Sequence, residues 1–227
     1  MATTLRWLGH GCWLVAAGKT TILIDPFLND SPTAPVKAEA VKADFVLVSH
    51  GHFDHVADAA SVAKRSNATV VANYEICEWL GKQGVKSSQP MNIGGGIHLP
   101  FGRVKMTIAH HSSVLPDGAG GGNPGGFVLS LPEGKVYFAC DTGLFYDMKL
   151  IGAEGLTLAV LPIGDRFTMG PDDAVEAVKL LKPKRVVPSH YNTWPPIAQD
   201  TAPWVERIKA ETKSEPIVIA PGETITL

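Results

Sequence analysis

His50-Gly51-His52-Phe53-Asp54-His55 places three imidazoles and a carboxylate within six residues. Neutral imidazoles and carboxylates are the donors that hold borderline divalent metals such as zinc. The run just before it, Phe45–Val48, is short and wholly apolar and ends at Ser49, as a strand buried on both faces does. Residues placed where such a strand ends are not confined to alternating faces, and a tight turn at Gly51 would let several side chains converge. At this chain's frequencies of His and Asp, the four positions coincide by accident in roughly 5 of 10,000 chains, so coincidence is a poor account. A surface His-rich turn of no consequence is the bland alternative. It fits badly beside a buried strand, where unused polar groups are costly.

Working outward, short β-type runs open the chain. Thr4–Leu8, Trp13–Ala16 and Thr20–Ile24 read as antiparallel hairpins, with a turn at Ala17-Gly18-Lys19. Beyond the hexapeptide, Val56–Ser66 has helical character, Thr69–Ala72 reads as strand and Tyr74–Lys82 as helix. Arg103–Ala109, Phe127–Leu131, Lys135–Ala139 and Thr157–Leu161 are further strands. Pro171–Leu181 is a helix with Pro at its start and Asp172 and Asp173 complementing the dipole of its first turn. Arg185–Val187 and Pro216–Ala220 are strands flanking a helix at Pro203–Glu211. Early strands pair by turns and later ones alternate with helices, so the class is α+β: two mixed β-sheets packed together with outer helices.

With 227 residues, 45% hydrophobic and 19% charged, the chain has material for one large core, and residues 1–227 read as a single domain. Net charge is -2 with no run of like charges, which argues against nucleic acid or an anionic membrane as partner. The longest apolar runs fall well short of the roughly 18 residues a membrane helix needs, and the opening residues show no signal-peptide pattern. Cys12, Cys77 and Cys140 match no metal or redox spacing and cannot all pair, so a reduced, cytoplasmic setting is expected. Gly18-Lys19-Thr20 is not a P-loop, because a strand follows where a helix is required. Gly120 to Gly125 fits G-x-G-x-x-G, yet it contains Pro124 and leads into a strand; a mobile loop over Pro116–Gly126, able to act as a lid, is the better reading.

HGHFDH resembles the metal-binding signature HxHxDH of the metallo-β-lactamase superfamily. Ile22-Leu23-Ile24-Asp25 looks like that superfamily's first motif, a strand ending in an aspartate. His111-Ser112-Ser113, Cys140-Asp141-Thr142-Gly143 and Pro188-Ser189-His190-Tyr191-Asn192-Thr193 follow in the expected order. Trp7-Leu8-Gly9-His10, Phe167-Thr168-Met169-Gly170-Pro171 and Trp194-Pro195-Pro196 look most like the branch related to L-ascorbate-6-phosphate lactonase. The resemblance implies a four-layer αβ/βα sandwich and a site for two divalent ions, zinc or manganese first, with iron or nickel also accommodated. His50, His52 and His111 would hold one ion, Asp54, His55 and His190 the other, and Asp141 would bridge. Asp54, Asp141 and His190 are also the candidate catalytic residues, and Asp25 would brace the metal loop rather than bind metal.

His110 and His111 compete for one ligand position. Alternation through Val104, Met106 and Ile108 puts His110 on the apolar face, but the strand is expected to end here and parity to lapse. The family pattern places the ligand directly before Ser-Ser, which favours His111 and leaves His110 as a packed or supporting residue. His10 is either a structural histidine or a group beside the site. Asn192 and Thr193 would donate to a developing oxyanion or simply shape their loop, and Phe167, Met169 and Trp194 would form a pocket wall or pack. His98 is expected exposed in a Gly-rich loop, and Cys140 turned from the metals by strand alternation. Lys19, Lys105 and Arg166 are cations available to a phosphate.

The function implied is a metal-dependent hydrolase in which a metal-bridging hydroxide cleaves a small ester, lactone or phosphoester. A small-molecule phosphodiesterase is the runner-up, and a catalytically silent metal-binding scaffold or regulatory module is the alternative from another class. The expected partner is a small-molecule substrate, with no nucleic acid and no membrane; lactonase-like relatives suggest that homo-oligomers can form.

Overall fold

A computed structural model describes residues 2–227. Alternation along the early strands buries two faces at once. In β3 (Thr20–Ile24), Ile22 and Ile24 enter one core and Leu23 another. In β4 (Phe45–Leu47) and β5 (Thr69–Asn73), Leu47 and Val71 are likewise separated from Val46 and Val70. Strands apolar on both faces belong inside a layered stack.

Each sheet has seven strands. The first runs β14 (Thr224–Thr226), β1 (Thr4–Trp7), β2 (Trp13–Ala17), β3, β4, β5 and β6 (Ser88–Met91). The second runs β13 (Glu215–Pro216), β12 (Arg185–Ser189), β11 (Leu158–Pro162), β10 (Gly134–Phe138), β9 (Gly125–Leu131), β8 (Gly102–Ile108) and β7 (Gly96–Leu99). In both, one half is antiparallel and the other, built through crossover connections, is parallel.

Trp13, Val15, Ile24, Leu47 and Val71 of the first sheet share a core with Val104, Met106, Phe127, Leu129 and Phe138 of the second. Outside the first sheet lie α2 (Ala59–Ser66) and α3 (Tyr74–Lys82), whose Val62, Ala63, Ile76 and Leu80 cover Val46 and Val70. Outside the second lie α4 (Met148–Gly152), α5 (Pro171–Leu181) and α6 (Thr201–Glu211). The result is the four-layer sandwich of two mixed sheets with flanking helices. Among the described residues, no helix is long and apolar enough to cross a membrane.

Several expectations need correction. The helix expected over Val56–Ser66 is divided into α1 (Phe53–Val56) and α2, because Asp58 between them accepts the backbone N–H groups of Leu28 and Asn29 at 2.7 and 3.0 Å. The last strand is shorter than Pro216–Ala220, and His98 lies on β7 rather than in a loop. Strands β6, β7 and β14 and helix α4 were not anticipated.

In the parallel half of each sheet the strands end along one edge. Asp25 follows β3, His50 follows β4, Asp141 follows β10 and His190 follows β12. A crevice outside the carboxyl ends of such strands is where this architecture presents ligands.

Candidate metal centre

Strand ends release side chains from alternation, and here they do so through strained backbone. His10, Asp25, Cys140 and His190 all have left-handed φ values, of 51, 45, 53 and 53°. Each costs on the order of 1–3 kcal/mol for a non-glycine residue and clusters where surroundings over-determine it. Convergence of the hexapeptide comes from the single turn of α1, which carries Asp54 and His55, rather than from a turn at Gly51. Gly51 instead permits a close approach: a Cβ there would lie 3.1 Å from Leu115 Cδ2.

Asp25 is fully buried and both its oxygens are taken. Oδ1 accepts the Ser49 N–H (2.8 Å), while Oδ2 accepts the Ser49 hydroxyl (2.6 Å) and His55 Nδ1–H (2.9 Å). With its proton committed to Asp25, the Ser49 oxygen accepts from His50 Nδ1 at 2.9 Å. Both imidazoles are therefore held as the Nδ1–H tautomer, leaving the Nε2 lone pairs free. Ser49 was missed in the sequence, although its place directly before the first histidine was a signal.

Two sets of donors result. His50 Nε2 and His111 Nε2 lie 3.0 and 3.2 Å from His52 Nδ1. Nitrogens about 2.05 Å from a tetrahedral ion stand about 3.3 Å apart, so this spacing is that of a chelate. The second set brings together Asp54, His55 and His190, with His10 beside them. Asp141 Oδ2 stands between the sets, 4.0 Å from His50 Nε2, 3.7 Å from His111 Nε2, 3.3 Å from His55 Nε2 and 3.0 Å from His190 Nε2. Despite these distances, His55 Nε2, both His190 ring nitrogens and Asp141 Oδ1 are buried without a hydrogen bond of acceptable angle. Buried polar atoms without partners are rare. Facing lone pairs gathered around a carboxylate are the arrangement a cation resolves, and the donor set fits divalent metal.

Electrostatics agree at both carboxylates and at His50, and set His55 apart. Burial pushes the Asp141 carboxyl up, but the charges of His190 and His55 outweigh it and hold the group well below the usual range. Asp54 is likewise held low: burial pushes it up, but the hydrogen bond from His10 together with the charges of His55 and His10 outweighs that. Burial and then the neighbouring His55 push His50 well down. His55 is raised against burial by Asp141 and Asp25. Metal binding requires ionised carboxylates and neutral imidazoles; the positive charge that the carboxylates draw onto His55 is one a metal would supply.

His10 is buried, with Nδ1 2.8 Å from Thr193 Oγ1 and Nε2 3.0 Å from Asp54 Oδ2. Burial and then His190 push its pKa down to about 3. A neutral His10 therefore donates Nε2–H to Asp54 and accepts the Thr193 hydroxyl proton. Gly11 leaves room for the neighbouring ring, since a Cβ there would lie 2.9 Å from His55 Cε1.

Other candidates fall elsewhere. His110 is exposed and stacks on Phe145 at 4.9 Å, whereas His111 enters the cluster, because β8 ends at Ile108 and alternation lapses as expected. Met169 is 1% exposed and packs in the core rather than in a pocket wall. Thr193 is buried on His10, and Asn192 uses its Oδ1 to accept the Gln199 N–H, so neither reaches the cleft. Cys140 corrects the alternation argument: its left-handed backbone leaves the thiol half-buried, influenced by Asp25 and Asp141, and burial pushes it up. Lys105 pairs with Glu154 at 2.6 Å, Lys19 occupies an exposed turn and Arg166 lies over the Phe167 ring at 5.5 Å.

A cleft of about 770 Å³ opens over the centre, bordered by His52, Asp54, His111, Asp141 and His190 at its floor. Its remaining lining is mainly apolar: Phe53, Val114, Leu115, Pro116, Phe167, Trp194, Pro196 and Ile197. Phe53 and the segment Val114–Pro116 were not anticipated as walls. Val114 bridges Gly120, and the loop between is pinned by Trp79 donating to Asp117 at 2.7 Å and Asn73 donating to the Gly121 carbonyl at 2.6 Å. The loop is thus anchored on both sides.

Known proteins share this geometry's framework. A family model described as the beta-lactamase superfamily domain matches residues 20–191. A UPF0173 metal-dependent hydrolase of Pelotomaculum thermopropionicum is 49% identical, over 98% of this chain and 99% of its own. Igni18, a metallo hydrolase from Ignicoccus hospitalis, is 34% identical in sequence, covers 100% of this chain and 99% of its own, and has a TM-score of 0.91. The metallo-beta-lactamase fold protein YhfI from Bacillus subtilis shares the fold at 13% identity, a TM-score of 0.76 and 100% coverage of both chains. The chain belongs to the UPF0173 metal-dependent hydrolases of the metallo-β-lactamase superfamily.

Proposed function

We propose that this hydrolase cleaves a small carboxylic ester or lactone at a centre for two divalent ions. His50, His52 and His111 would hold one ion and Asp54, His55 and His190 the other, with Asp141 between them. The supporting observation is Asp141 Oδ2 itself, within 4.0 Å of ring nitrogens from both sets and at the floor of the cleft. Bound there, the ions would supply Lewis acidity to water and to the oxygen of the scissile group. Zinc or manganese is the first expectation, and iron or nickel suits the same donors.

The chain's own residues do the rest. Asp25 and Ser49 fix His55 and His50, and His10 fixes one oxygen of Asp54. Asp54 borders the cleft as an ionised carboxylate that, oriented by His10, would hold its ion and accept a hydrogen bond from the attacking water. Apolar walls exclude bulk water from this exchange.

A phosphodiester is second because no lysine or arginine lines the cleft to meet its charge. The names of the UPF0173 relatives go no finer than metal-dependent hydrolase, so the lactone rests on the sequence resemblance and on the cleft. A silent metal-binding module is the alternative of another class.

Elemental analysis of native-purified protein, joined to turnover of p-nitrophenyl acetate, γ-butyrolactone and bis(p-nitrophenyl) phosphate, tests this. About two equivalents of metal and faster turnover of the ester or lactone are expected. Preference for the phosphodiester overturns the substrate, and full metal without turnover assigns a binding module. Asp141→Ala is expected to lose both metal and turnover; unchanged metal content would remove Asp141 from the centre.

A further inference from the structure

The cleft carries a second pattern. Phe53, Val114 and Phe167 are 54, 48 and 56% exposed, among the most exposed large apolar side chains described, and all border the same opening. They come from α1, from the loop after β8 and from the loop between β11 and α5, three distant segments of sequence. Scattered single apolar residues need no explanation, but a convergent group beside a reactive centre marks a binding surface.

Phe167 is also delivered at a cost. Asp165 and Arg166 before it have φ values of 63 and 22°, two successive left-handed residues that are not glycine. The turn is closed by Thr168 N–H donating to the Asp165 carbonyl at 2.7 Å and Asp165 N–H to the Met169 carbonyl at 3.0 Å. Met169 then drops into the core while Phe167 stands out into the cleft. Strain of this kind persists where it serves a site. Arg166 lies over the Phe167 ring and does not line the cleft.

We propose that this surface is a subsite for the apolar acyl tail of an uncharged ester or lactone, with Phe167 setting the chain-length preference. The proposal rests on the hydrolase reading above and adds what flanks the scissile bond: an alkyl or aryl group, with no anionic terminus. A volume of about 770 Å³ accommodates a substrate of drug-like size, well beyond an acetyl group.

The test uses metal-replete protein and straight-chain p-nitrophenyl esters from acetate to octanoate, with calorimetric binding of the matching carboxylate products as a readout free of turnover. kcat/KM is expected to rise about twofold or more per methylene through hexanoate, and product affinity to rise in parallel. A p-nitrophenyl ester ending in a second carboxylate is expected to be at least about tenfold poorer than the neutral ester of equal length. Phe167→Ala should flatten the chain-length series without changing metal content, and Phe167→Leu should restore part of the slope. A flat series in both turnover and binding, or preference for the carboxylate-ended ester, overturns the proposal. If no ester or lactone is turned over while product binding still climbs with chain length, the hydrolase reading fails and the subsite stands. If Phe167→Ala changes the oligomeric state and keeps the slope, the rim belongs to a contact between copies and the proposal fails.

Discussion

At the residue scale, the centre depends on one carboxylate that would bind no metal. Asp25 accepts three hydrogen bonds, and two of them set the tautomers of His55 and His50. An asparagine side chain in its place fails in either orientation. With the amide oxygen toward His55 and the Ser49 hydroxyl, the NH₂ meets the Ser49 N–H; reversed, donor meets donor at His55. Asp25→Asn is therefore expected to weaken metal affinity by about 10–100-fold while the circular dichroism spectrum stays native; affinity unchanged in a metal titration would refute the bracing role. Asp25 itself was legible, because a strand ending in Asp ahead of a histidine cluster is a recognisable pattern. Ser49 was legible only by its place directly before the first histidine, since a lone serine carries no pattern of its own. Cys140 shows where period-2 alternation stops, at a strand end where φ turns positive, whereas Met169, open between wall and core, packs in the core.

At the element scale, a clamp outside the second sheet gives a pH-dependent prediction. Glu154, just after α4, pairs with Lys105 of β8 at 2.6 Å and Lys135 of β10 at 3.5 Å. Burial raises its carboxyl, but Lys105 and then Lys135 outweigh that, and the folded value lies below the ordinary 4.5. A carboxyl lowered by folding stabilises above its unfolded pKa and loses that contribution as pH falls through the folded value. The lysines are partly exposed, so solvent screens the pair and Glu154→Gln is expected to cost about 0.5–1 kcal/mol at neutral pH. Thermal melts of the two proteins should differ by about 1–4 °C at neutral pH and converge in acid; a gap that persists in acid would mean that lost packing, not charge, is responsible. Elements differ in legibility for physical reasons. Strands β3, β4 and β5 bury apolar side chains on two faces and announce themselves. Strand β6, Ser-Gln-Pro-Met, is exposed at three of its four positions, and β7 and β14 also lie at sheet edges with little buried surface. Edge strands of this kind carry little of the β-type patterning that burial imposes.

At the scale of the whole molecule, the candidate centre joins two halves of the fold. His50, His52, Asp54 and His55 follow β4 of the first sheet, whereas His111, Asp141 and His190 follow β8, β10 and β12 of the second. Each set mixes donors from both sheets: His111 meets His50 and His52, and His190 meets Asp54 and His55. The sheets already share an extensive apolar core, so the fold does not depend on metal for its existence. What metal would relieve is confined to the edge where the strands end: unpartnered nitrogens, a carboxylate pressed against four rings, and left-handed backbone at His10, Asp25, Cys140 and His190. The unfolded chain has no preformed site, so binding free energy adds to stability. Free metal at 100 times its dissociation constant contributes about 2.7 kcal/mol per site. For a chain of 227 residues that corresponds to about 5–10 °C in Tm per site, and so to about 10–20 °C for a centre of two ions. Protein stripped with a chelator is thus expected to keep its secondary structure, melt lower by that amount and recover on adding zinc or manganese. Because donors from both sheets contribute to each set, the whole transition should shift, with no separate early step in a calorimetric scan. An early step confined to one sheet would show that the metals brace a local loop, and an unchanged Tm would show that they do not bridge the sheets at all.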